Sequence, residues 1–463
     1  MKDREDEPLR EALKEEIETL FFEEIVLFFS VLKWTFLAAI VGIIVGTAVV
    51  IFLKILNKSL TLQEKFWYYY LFLPLGLLIS EILARYLSSE ARGHGTEKVI
   101  EAIHERNGKI DPKVVPVKLL ATIITITFGG SVGKEGPAAQ IGAGITSFLS
   151  DILRFSPDDR RKLVVCGISG GFAAVFGTPI SGALFGMEVL FLGRVMYDVI
   201  VPSFVSGIVS YQTARLWGID YEYFPLKFEF RDIRHFLTIS VVSGIFFGIV
   251  AVIFIETLRI LEMLFDRLNI KFSWKPLIGG AILVITTLIF SDDYLGLGLD
   301  IIHDALLGKD IPPYAFLVKI FATSITLVSG GSGGVITPIF FIGSTAGNFL
   351  GNLLNNNPQV FAALGFVGVL AGATNTPVAS SIMAIEVFGP KIGPYAAVVC
   401  VVSFLITGHR SIYPSQRLGI RKSSSIEVEI GKELEEVHPV AHIRGVGFIK
   451  GLRSRLKRWP FGK

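Results

Sequence analysis

The sequence is poor in charge and in cysteine. Only 18% of its 463 residues are Asp, Glu, Lys or Arg, against about 25% in an ordinary soluble protein. The two cysteines, Cys166 and Cys400, both lie in apolar stretches, and two cysteines do not make a disulfide framework. A free cysteine behaves as a small hydrophobic residue, so we interpret both as packing residues. The net charge of +3 gives no indication of a nucleic-acid partner.

Long stretches without a charged residue indicate a polytopic membrane protein. The sequence is 51% hydrophobic and its mean hydropathy is +0.58. Trp34 to Leu53, Leu163 to Met187 and Phe236 to Ile255 are uncharged throughout, and each is long enough to supply the roughly 20 residues that cross a bilayer. The longest such stretch, 320–385, contains no Asp, Glu, Lys, Arg or His, but Gly and Pro interrupt it. Its helices should therefore be short or tilted.

The two ends of the chain carry opposite charge. Residues 1–24 hold ten acidic and four basic side chains, with apolar residues at helical spacing, which predicts an amphipathic helix on the cytoplasmic face. This helix could also lie on a partner subunit, and a solvated helix without a partner is the alternative. Residues 414–463 hold five acidic and eleven basic side chains, which predicts a short basic tail in the cytoplasm. The acidic N-terminus does not fit a signal peptide, so we expect an integral protein of the plasma or inner membrane.

One polar motif lies inside an apolar region. The segment from Gly129 to Gly144 reads GGSVGKEGPAAQIGAG, and its Lys134 and Glu135 are the only charged residues between positions 119 and 150. An ionisable residue at membrane depth is by default a candidate functional residue. The glycines and Pro137 predict an irregular backbone with a helix beginning just after the carboxylate. Because helix N-termini attract anions, the motif predicts a place where a negative ion could rest.

The same motif pattern occurs again later in the chain. Residues 129–137 and 330–338 share the pattern GGSxGxxxP at an offset of 201. Thr178-Pro179-Ile180 likewise matches Thr376-Pro377-Val378 at an offset of 198. We therefore predict two homologous halves, with repeat 1 at 25–226 and repeat 2, including a polar linker, at 227–413. In membrane transporters such halves are usually inverted repeats whose broken helices meet at a midplane site.

Two other functional classes fit the motifs poorly. A nucleotide-binding P-loop would need Gly where Phe128 stands and Ser or Thr where Glu135 stands. An intramembrane enzyme remains a remote alternative, because the titratable residues near the motifs form no known catalytic or metal-binding pattern; they are Glu135, Glu188, Glu386, His94 and Tyr413. We therefore expect no enzyme activity, no nucleotide, no metal and no cofactor.

The motifs resemble one known family. Gly133 to Pro137, with GGSV before it and Gln140-Ile141-Gly142 after it, resembles the G[K/R]EGP signature of the CLC family of chloride channels and chloride/proton exchangers. Gly333 to Pro338 resembles the family's GxFxP motif, and Tyr413 in SIYPSQ resembles its anion-contacting tyrosine. The resemblance covers roughly 25–416. It implies an all-α homodimer in membrane lipid, with one anion pathway per subunit built from two inverted repeats of tilted and broken helices.

The resemblance also implies roles for individual residues. Glu135 would be the gate, because its ionised carboxylate would occupy an anion position and would leave that position when protonated or displaced. Chloride or a similar monovalent anion would be held by backbone amides at helix N-termini and by a tyrosine hydroxyl. The implied anion-binding residues are His94, Gly95, Gly136, Val335, Ile336 and Tyr413.

Three departures from the family pattern bear on mechanism. His94 stands where the family has an anion-contacting serine, and Ile336 stands where it has an aromatic residue. Val189 occupies the place of the internal glutamate through which exchangers pass protons. Val189 favours channel-like, uncoupled movement, and a chloride/proton antiporter that also uses protons is the alternative. Glu188 and Glu386 occupy matching places in the two halves, which predicts structural roles as helix or dimer partners.

Overall fold

The computed structural model describes residues 7–226, 233–268, 271–437 and 440–441, and sixteen α-helices lie within them. The first half contains α1 (Glu7–Gln63), α2 (Leu73–Leu87), α3 (Gly95–Arg106), α4 (Val114–Thr127), α5 (Glu135–Ile152), α6 (Pro157–Phe176), α7 (Pro179–Glu188) and α8 (Ile200–Leu216). The second half contains α9 (Ile233–Arg267), α10 (Trp274–Ile289), α11 (Leu299–Leu306), α12 (Ala315–Val328), α13 (Ile336–Leu353), α14 (Pro358–Thr374), α15 (Pro377–Phe388) and α16 (Gly393–Thr407).

The helices repeat in the order that the sequence predicts. Helices α12 and α13 follow α4 and α5 at the offset of the glycine motifs, and each has the length of its counterpart, 14 and 18 residues. Helix α15 follows α7 at the offset of the two Thr-Pro sequences. The packing repeats too, because α5 lies on α6 as α13 lies on α14, and α1 lies on α8 as α9 lies on α16. The predicted all-α polytopic fold is confirmed.

The first helix is longer than a bilayer is thick. Helix α1 has 57 residues, which at 1.5 Å per residue is about 85 Å, against about 30 Å for a hydrocarbon core. It continues past residue 24 without a break, so the predicted amphipathic segment is not a separate helix, and residues 1–6 of that segment lie outside the described part. Side chains 21–33 are all exposed, and packing against the body begins at Trp34. A cytoplasmic position for the start of the helix stays a prediction.

Four helical segments in the described ranges are long and apolar enough to cross a membrane. They are Phe21–Gln63, Tyr69–Leu87, Phe236–Arg267 and Pro390–Thr407. Other apolar helices have only 10 to 17 residues, and α12, α14 and α15 are among them. These three helices lie wholly or partly in the uncharged stretch 320–385, as predicted for several of its helices, whereas α13 within the same stretch has 18 residues.

Proline and left-handed residues set the helix limits around the core. Helices α6, α7, α14 and α15 each carry Pro in the first turn, where its missing N–H costs nothing. Gly177 and Asn375 end α6 and α14 at φ 74° and 58°, so the chain reverses sharply into the following helix. Cys166 and Cys400 are fully buried in the apolar core, as expected of packing residues.

The segment after α16 folds back on the helical body. Its strands are short: β1 (Phe191–Leu192) pairs in parallel with β2 (Arg417–Leu418), and β3 (Ile426–Glu427) pairs antiparallel with β4 (Val440–Ala441). The β1–β2 pairing fixes the segment that follows Tyr413 beside the end of α7. Of the predicted basic tail 414–463, residues 438–439 and 442–463 lie outside the described part.

Candidate anion site

The two repeated glycine motifs meet face to face. Gly133 N–H donates to the carbonyl of Gly334 at 2.6 Å, and Gly334 N–H donates to the carbonyl of Gly133 at 2.7 Å. A Cβ atom on Gly334 would lie only 2.7 Å from the backbone nitrogen of Gly136, so the close approach requires glycine. The sequence-based expectation that the loops of the two halves face each other agrees with this pairing.

Glu135 reaches from its own helix to the helix of the other half. It is the first residue of α5 and is 1% exposed. Its Oε2 accepts hydrogen bonds from Thr337 N at 3.1 Å and from Thr337 Oγ1 at 2.5 Å. Thr337 is the second residue of α13, so the carboxylate lies at a helix N-terminus, where backbone N–H groups and the helix dipole favour negative charge. The N–H and the hydroxyl of Thr337 thus form a nest for the carboxylate, of a kind that also suits an anion.

A third helix start joins the two motif loops. Gly333 N–H donates to the carbonyl of Gly93 at 3.3 Å, which aligns the loop before α3 with the loop before α13. A Cβ on Gly95 would lie 2.6 Å from the carbonyl oxygen of Gly136, so the starts of α3 and α5 are in contact. Amides in the first turn of a helix have no intrahelical acceptor. The structure thus brings together the starts of three helices, which include Gly95, Gly136 and Ile336, next to Val335.

His94 and Tyr413 lie together on one side of this junction. Their ring centroids are 6.0 Å apart with planes at 44°. The Tyr413 side chain is fully buried. Among the described residues, neither the Tyr413 hydroxyl nor His94 Nδ1 has a hydrogen-bond partner of good geometry. Buried polar groups are normally hydrogen-bonded, so the two unpaired groups are suited to contact a ligand.

Two buried lysines fix the loops on either side of the junction. Lys118 in α4 donates to the carbonyl of Gly93 at 2.6 Å, and Lys319 in α12 donates to the carbonyls of Tyr294 and Gly296 at 3.1 and 3.0 Å. Both side chains are fully buried. The two lysines are repeat equivalents, because they are related by the same offset as the glycine motifs. The Lys118 contact orders the loop that carries His94.

The site residues predicted from sequence lie at the junction of the three helix starts, except for Val189. Val189, the candidate position on a proton path, is fully buried directly after α7, and its carbonyl accepts from Gln416 Nε2 at 2.7 Å. It carries no group that could bind a proton. Thr337 was missed because it stands at an unspecified position of both motifs that contain it, GGSxGxxxP and GxFxP, and its repeat equivalent is Gly136. Lys118 and Lys319 were also missed, although the offset between the repeats relates them.

The chain matches a protein family and several relatives. The family model described as voltage gated chloride channel matches residues 75–408. A chloride/fluoride channel protein of Pseudomonas syringae pv. tomato is 36% identical over 399 residues, which are 84% of this chain and 87% of that protein. The voltage-gated ClC-type chloride channel ClcB of Escherichia coli is 29% identical over 350 residues, 70% of this chain and 80% of ClcB.

Solved structures share the fold. The crystal structure of a CLC-type fluoride/proton antiporter superimposes with a TM-score of 0.80 at 30% identity, over 84% of this chain and 99% of that chain. A slow cyanobacterial Cl−/H+ antiporter superimposes with a TM-score of 0.72 at 20% identity, over 82% of this chain and 96% of that chain. The match across most of the helical body, with the paired glycine motifs at its centre, shows that the chain belongs to the CLC family and is a membrane protein for CLC-type anion transport.

Proposed function

We propose that the chain moves a small monovalent halide, chloride or fluoride, across a membrane, and that Glu135 is the gate. The observation that supports this most strongly is the contact between the buried Glu135 carboxylate and Thr337 at the start of α13. A carboxylate that accepts from the N–H and the hydroxyl at a helix N-terminus occupies the kind of place that a dehydrated anion prefers.

In this mechanism the carboxylate and the halide compete for the same donors. When Glu135 is ionised it holds Thr337 N–H and Oγ1 and blocks the passage. When it takes up a proton or is displaced, the amides near Gly136, Val335 and Ile336 become available to the anion. The hydroxyl of Tyr413 and the imidazole of His94 would receive the ion on the other side of the junction, together with the amide of Gly95.

The choice of halide follows from the donors and from the relatives. The relative with 36% identity is named a chloride/fluoride channel protein, and the solved structure with 30% identity is that of a fluoride/proton antiporter. Fluoride is the smallest halide and accepts the strongest hydrogen bonds, so it depends most on N–H and O–H donors that replace its hydration shell. His94 keeps one such donor where the family has serine, and its N–H lies on a longer side chain. We therefore propose that fluoride is carried at least as well as chloride.

Two modes of movement are consistent with the site. Val189 favours uncoupled flow, because it cannot hold a proton, and the Pseudomonas relative is named a channel protein. Proton exchange is the second candidate, and it is favoured by the likeness to the fluoride/proton antiporter at 30% identity. Exchange would use the same Glu135, which would carry a proton when it leaves the nest.

Purified protein in liposomes tests both the transport and the gate. Vesicles loaded with potassium fluoride or chloride should release the anion when a potassium ionophore balances the charge, and an ion-selective electrode records the efflux. In E135Q the efflux should no longer depend on pH, whereas E105Q on the exposed face of α3 should behave as the wild type. Failure of the wild type to release either halide would refute transport. Unchanged pH dependence in E135Q would refute only the gate.

We also propose that the protein is a homodimer in the plasma or inner membrane. Its C-terminus would lie in the cytoplasm. The dimer is proposed from the membership of the CLC family. Light scattering in detergent gives the mass of the complex. A protein mass of one chain, corrected for detergent, would refute the dimer.

A further inference from the structure

Glu97 is a buried carboxylate that the proposed gate does not use. It lies in the first turn of α3, close after His94, and only 9% of it is exposed. Its Oε1 accepts hydrogen bonds from the backbone N–H of Ser415 at 2.9 Å and from the Ser415 hydroxyl. Its Oε2 is buried and has no hydrogen-bond partner among the described residues. Burying a carboxylate with one oxygen unpaired costs free energy. This cost favours a role for Glu97 beyond binding the segment that carries Ser415.

The position of Glu97 connects a cavity with the candidate anion site. A cavity of about 590 Å³ is lined by Glu97, His94, Lys98 and Pro414. On the far side, Ser415, which binds Glu97, comes two residues after Tyr413, and the Tyr413 ring lies 6.0 Å from the ring of His94 at the start of α3. Glu97 therefore lies between a space large enough for many water molecules and the tyrosine next to the gate.

Most of the other charged groups around Glu97 are paired with one another. Lys98 and Glu101 are its neighbours on α3, and they pair with each other at 2.6 Å. The cavity wall also carries Glu81, Arg85 and Arg92 from the first half, and Glu262, Asp266 and Lys275 from the second. Glu81 is bound by Arg92 at 2.6 Å and Asp266 by Lys275 at 2.8 Å. Glu262 on α9 has no ion pair among the described residues, but Glu97 differs from it because it lies close after His94 and binds Ser415, two residues after Tyr413. Val189 cannot supply a proton-binding group.

We infer that Glu97 is the proton-carrying residue that links the cavity to Glu135. This inference rests on the exchange mode proposed above. A hydronium ion in the cavity gives up a proton to Glu97 Oε2, so that an O–H bond breaks on water and forms on the carboxyl group. The proton then passes to Glu135 by way of the Tyr413 hydroxyl or intervening water. Glu97 is left as the carboxylate and Glu135 becomes neutral and leaves the nest. No oxidant or further reactant is needed.

Proton-to-anion stoichiometry in liposomes tests the inference. An outward halide gradient should drive uphill proton uptake by the wild type, recorded with a pH dye alongside halide efflux. In E97Q the ratio of protons to halide should fall by about tenfold or more, because removal of a proton-transfer group typically costs about 10² to 10⁴ in rate. E105Q, an exposed glutamate on the same helix, should keep the wild-type ratio.

The outcomes separate the inference from the function on which it rests. A wild-type proton ratio in E97Q overturns the proton role of Glu97 and leaves exchange intact. Halide efflux without proton movement in the wild type overturns exchange and the inference together, while transport stands. If E97Q does not fold, S415A serves, because it keeps the carboxylate and removes one donor that favours its charged form. Proton transport in S415A should then persist to higher pH, and an unchanged pH profile overturns the inference.

Discussion

Glu188 and Glu386 each bind the start of the helix that carries the other glutamate, across the two halves. The Glu188 carboxylate accepts from Val378 N at 3.1 Å and Ala379 N at 2.8 Å, at the start of α15. The Glu386 carboxylate accepts from two amides at the start of α7, Ile180 N at 2.9 Å and Ser181 N at 2.8 Å. Each glutamate lies near the end of one short helix and caps the helix opposite. The sequence-based hypothesis that they are helix partners agrees with this geometry.

E188Q and E386Q should each lower stability without removing the anion site. A glutamine retains one acceptor oxygen and turns an NH₂ group towards an amide donor, so one charge-assisted hydrogen bond is lost, worth about 1.5 to 3 kcal/mol. The melting temperature in detergent, followed by tryptophan fluorescence, should fall for both variants. E64Q at an exposed position is the control. Wild-type melting of both glutamine variants would contradict the structural role.

T337V should shift the pH dependence of halide flux to higher pH. The variant keeps the backbone donor to Glu135 but loses the hydroxyl donor, so the ionised carboxylate is held less firmly and takes up a proton more easily. Flux at neutral pH should therefore rise. T345V is the matched control, since Thr345 Oγ1 donates to carbonyls of its own helix, Phe341 at 2.7 Å and Ile342 at 3.4 Å. Coincident flux–pH curves for T337V and the wild type would contradict the competition mechanism.

G334A should abolish transport. Its Cβ atom would lie 2.7 Å from Gly136 N and 3.2 Å from the carbonyl oxygen of Gly133, so the two motif loops would have to separate. G393A is the control, because there the contacts within 4 Å are two side-chain carbons of Ile385, both at 3.1 Å. Halide efflux per mole of correctly assembled protein is the measurement. Normal efflux by G334A would show that the pairing of the loops is dispensable.

K319M should lower stability more than K309M. Lys319 is fully buried and donates to backbone carbonyls of 294–296, and each buried acceptor left unpaired costs about 1 to 3 kcal/mol. Lys309 is exposed and pairs with Asp304 at 2.6 Å, and such surface pairs contribute about 0 to 1 kcal/mol. Melting temperatures in detergent compare the two. An equal effect would mean that the buried lysine does not support its loop.

H94S should lower the ratio of fluoride to chloride efflux. The serine hydroxyl is shorter than the imidazole and reaches less far towards an ion beside Tyr413, so the smaller halide loses more. H303Q is the control, because His303 lies on α11, away from the junction, and is near Glu222 and Asp304. Parallel efflux assays with the two potassium salts give the ratio. An unchanged ratio in H94S would remove His94 from anion selection.

Much of the fold could be predicted because it depends on local patterns. Uncharged stretches indicated the membrane helices, and the GGSxGxxxP repeat indicated two halves whose loops meet. The helix predicted to begin just after Glu135 begins at Glu135 itself. Proline in the first turn and glycine at close approaches are local requirements, so they are visible in one sequence.

Other features could not be predicted because they depend on contacts between distant segments. The sequence alone gives Thr337 no special role. Its contact with Glu135 depends on how α13 packs next to α5. Glu97 is followed by Lys98 and by further polar residues on α3, so in sequence it resembles part of a solvated face. Its burial results from the return of the chain after α16, which brings Ser415 to it across 318 positions. Composition also predicted a boundary at residue 24, but α1 continues through that position without a break.

The reciprocal hydrogen bonds of Gly133 and Gly334 have a consequence for biosynthesis. One half of the passage is translated long before the other half. Until α13 has entered the bilayer, Glu135 has no Thr337 to bind, and the nascent chain carries an acidic group in lipid without its donors. A truncated product that ends at the linker should consequently be a substrate for membrane quality-control proteases, and it cannot leak halide through a half-built route.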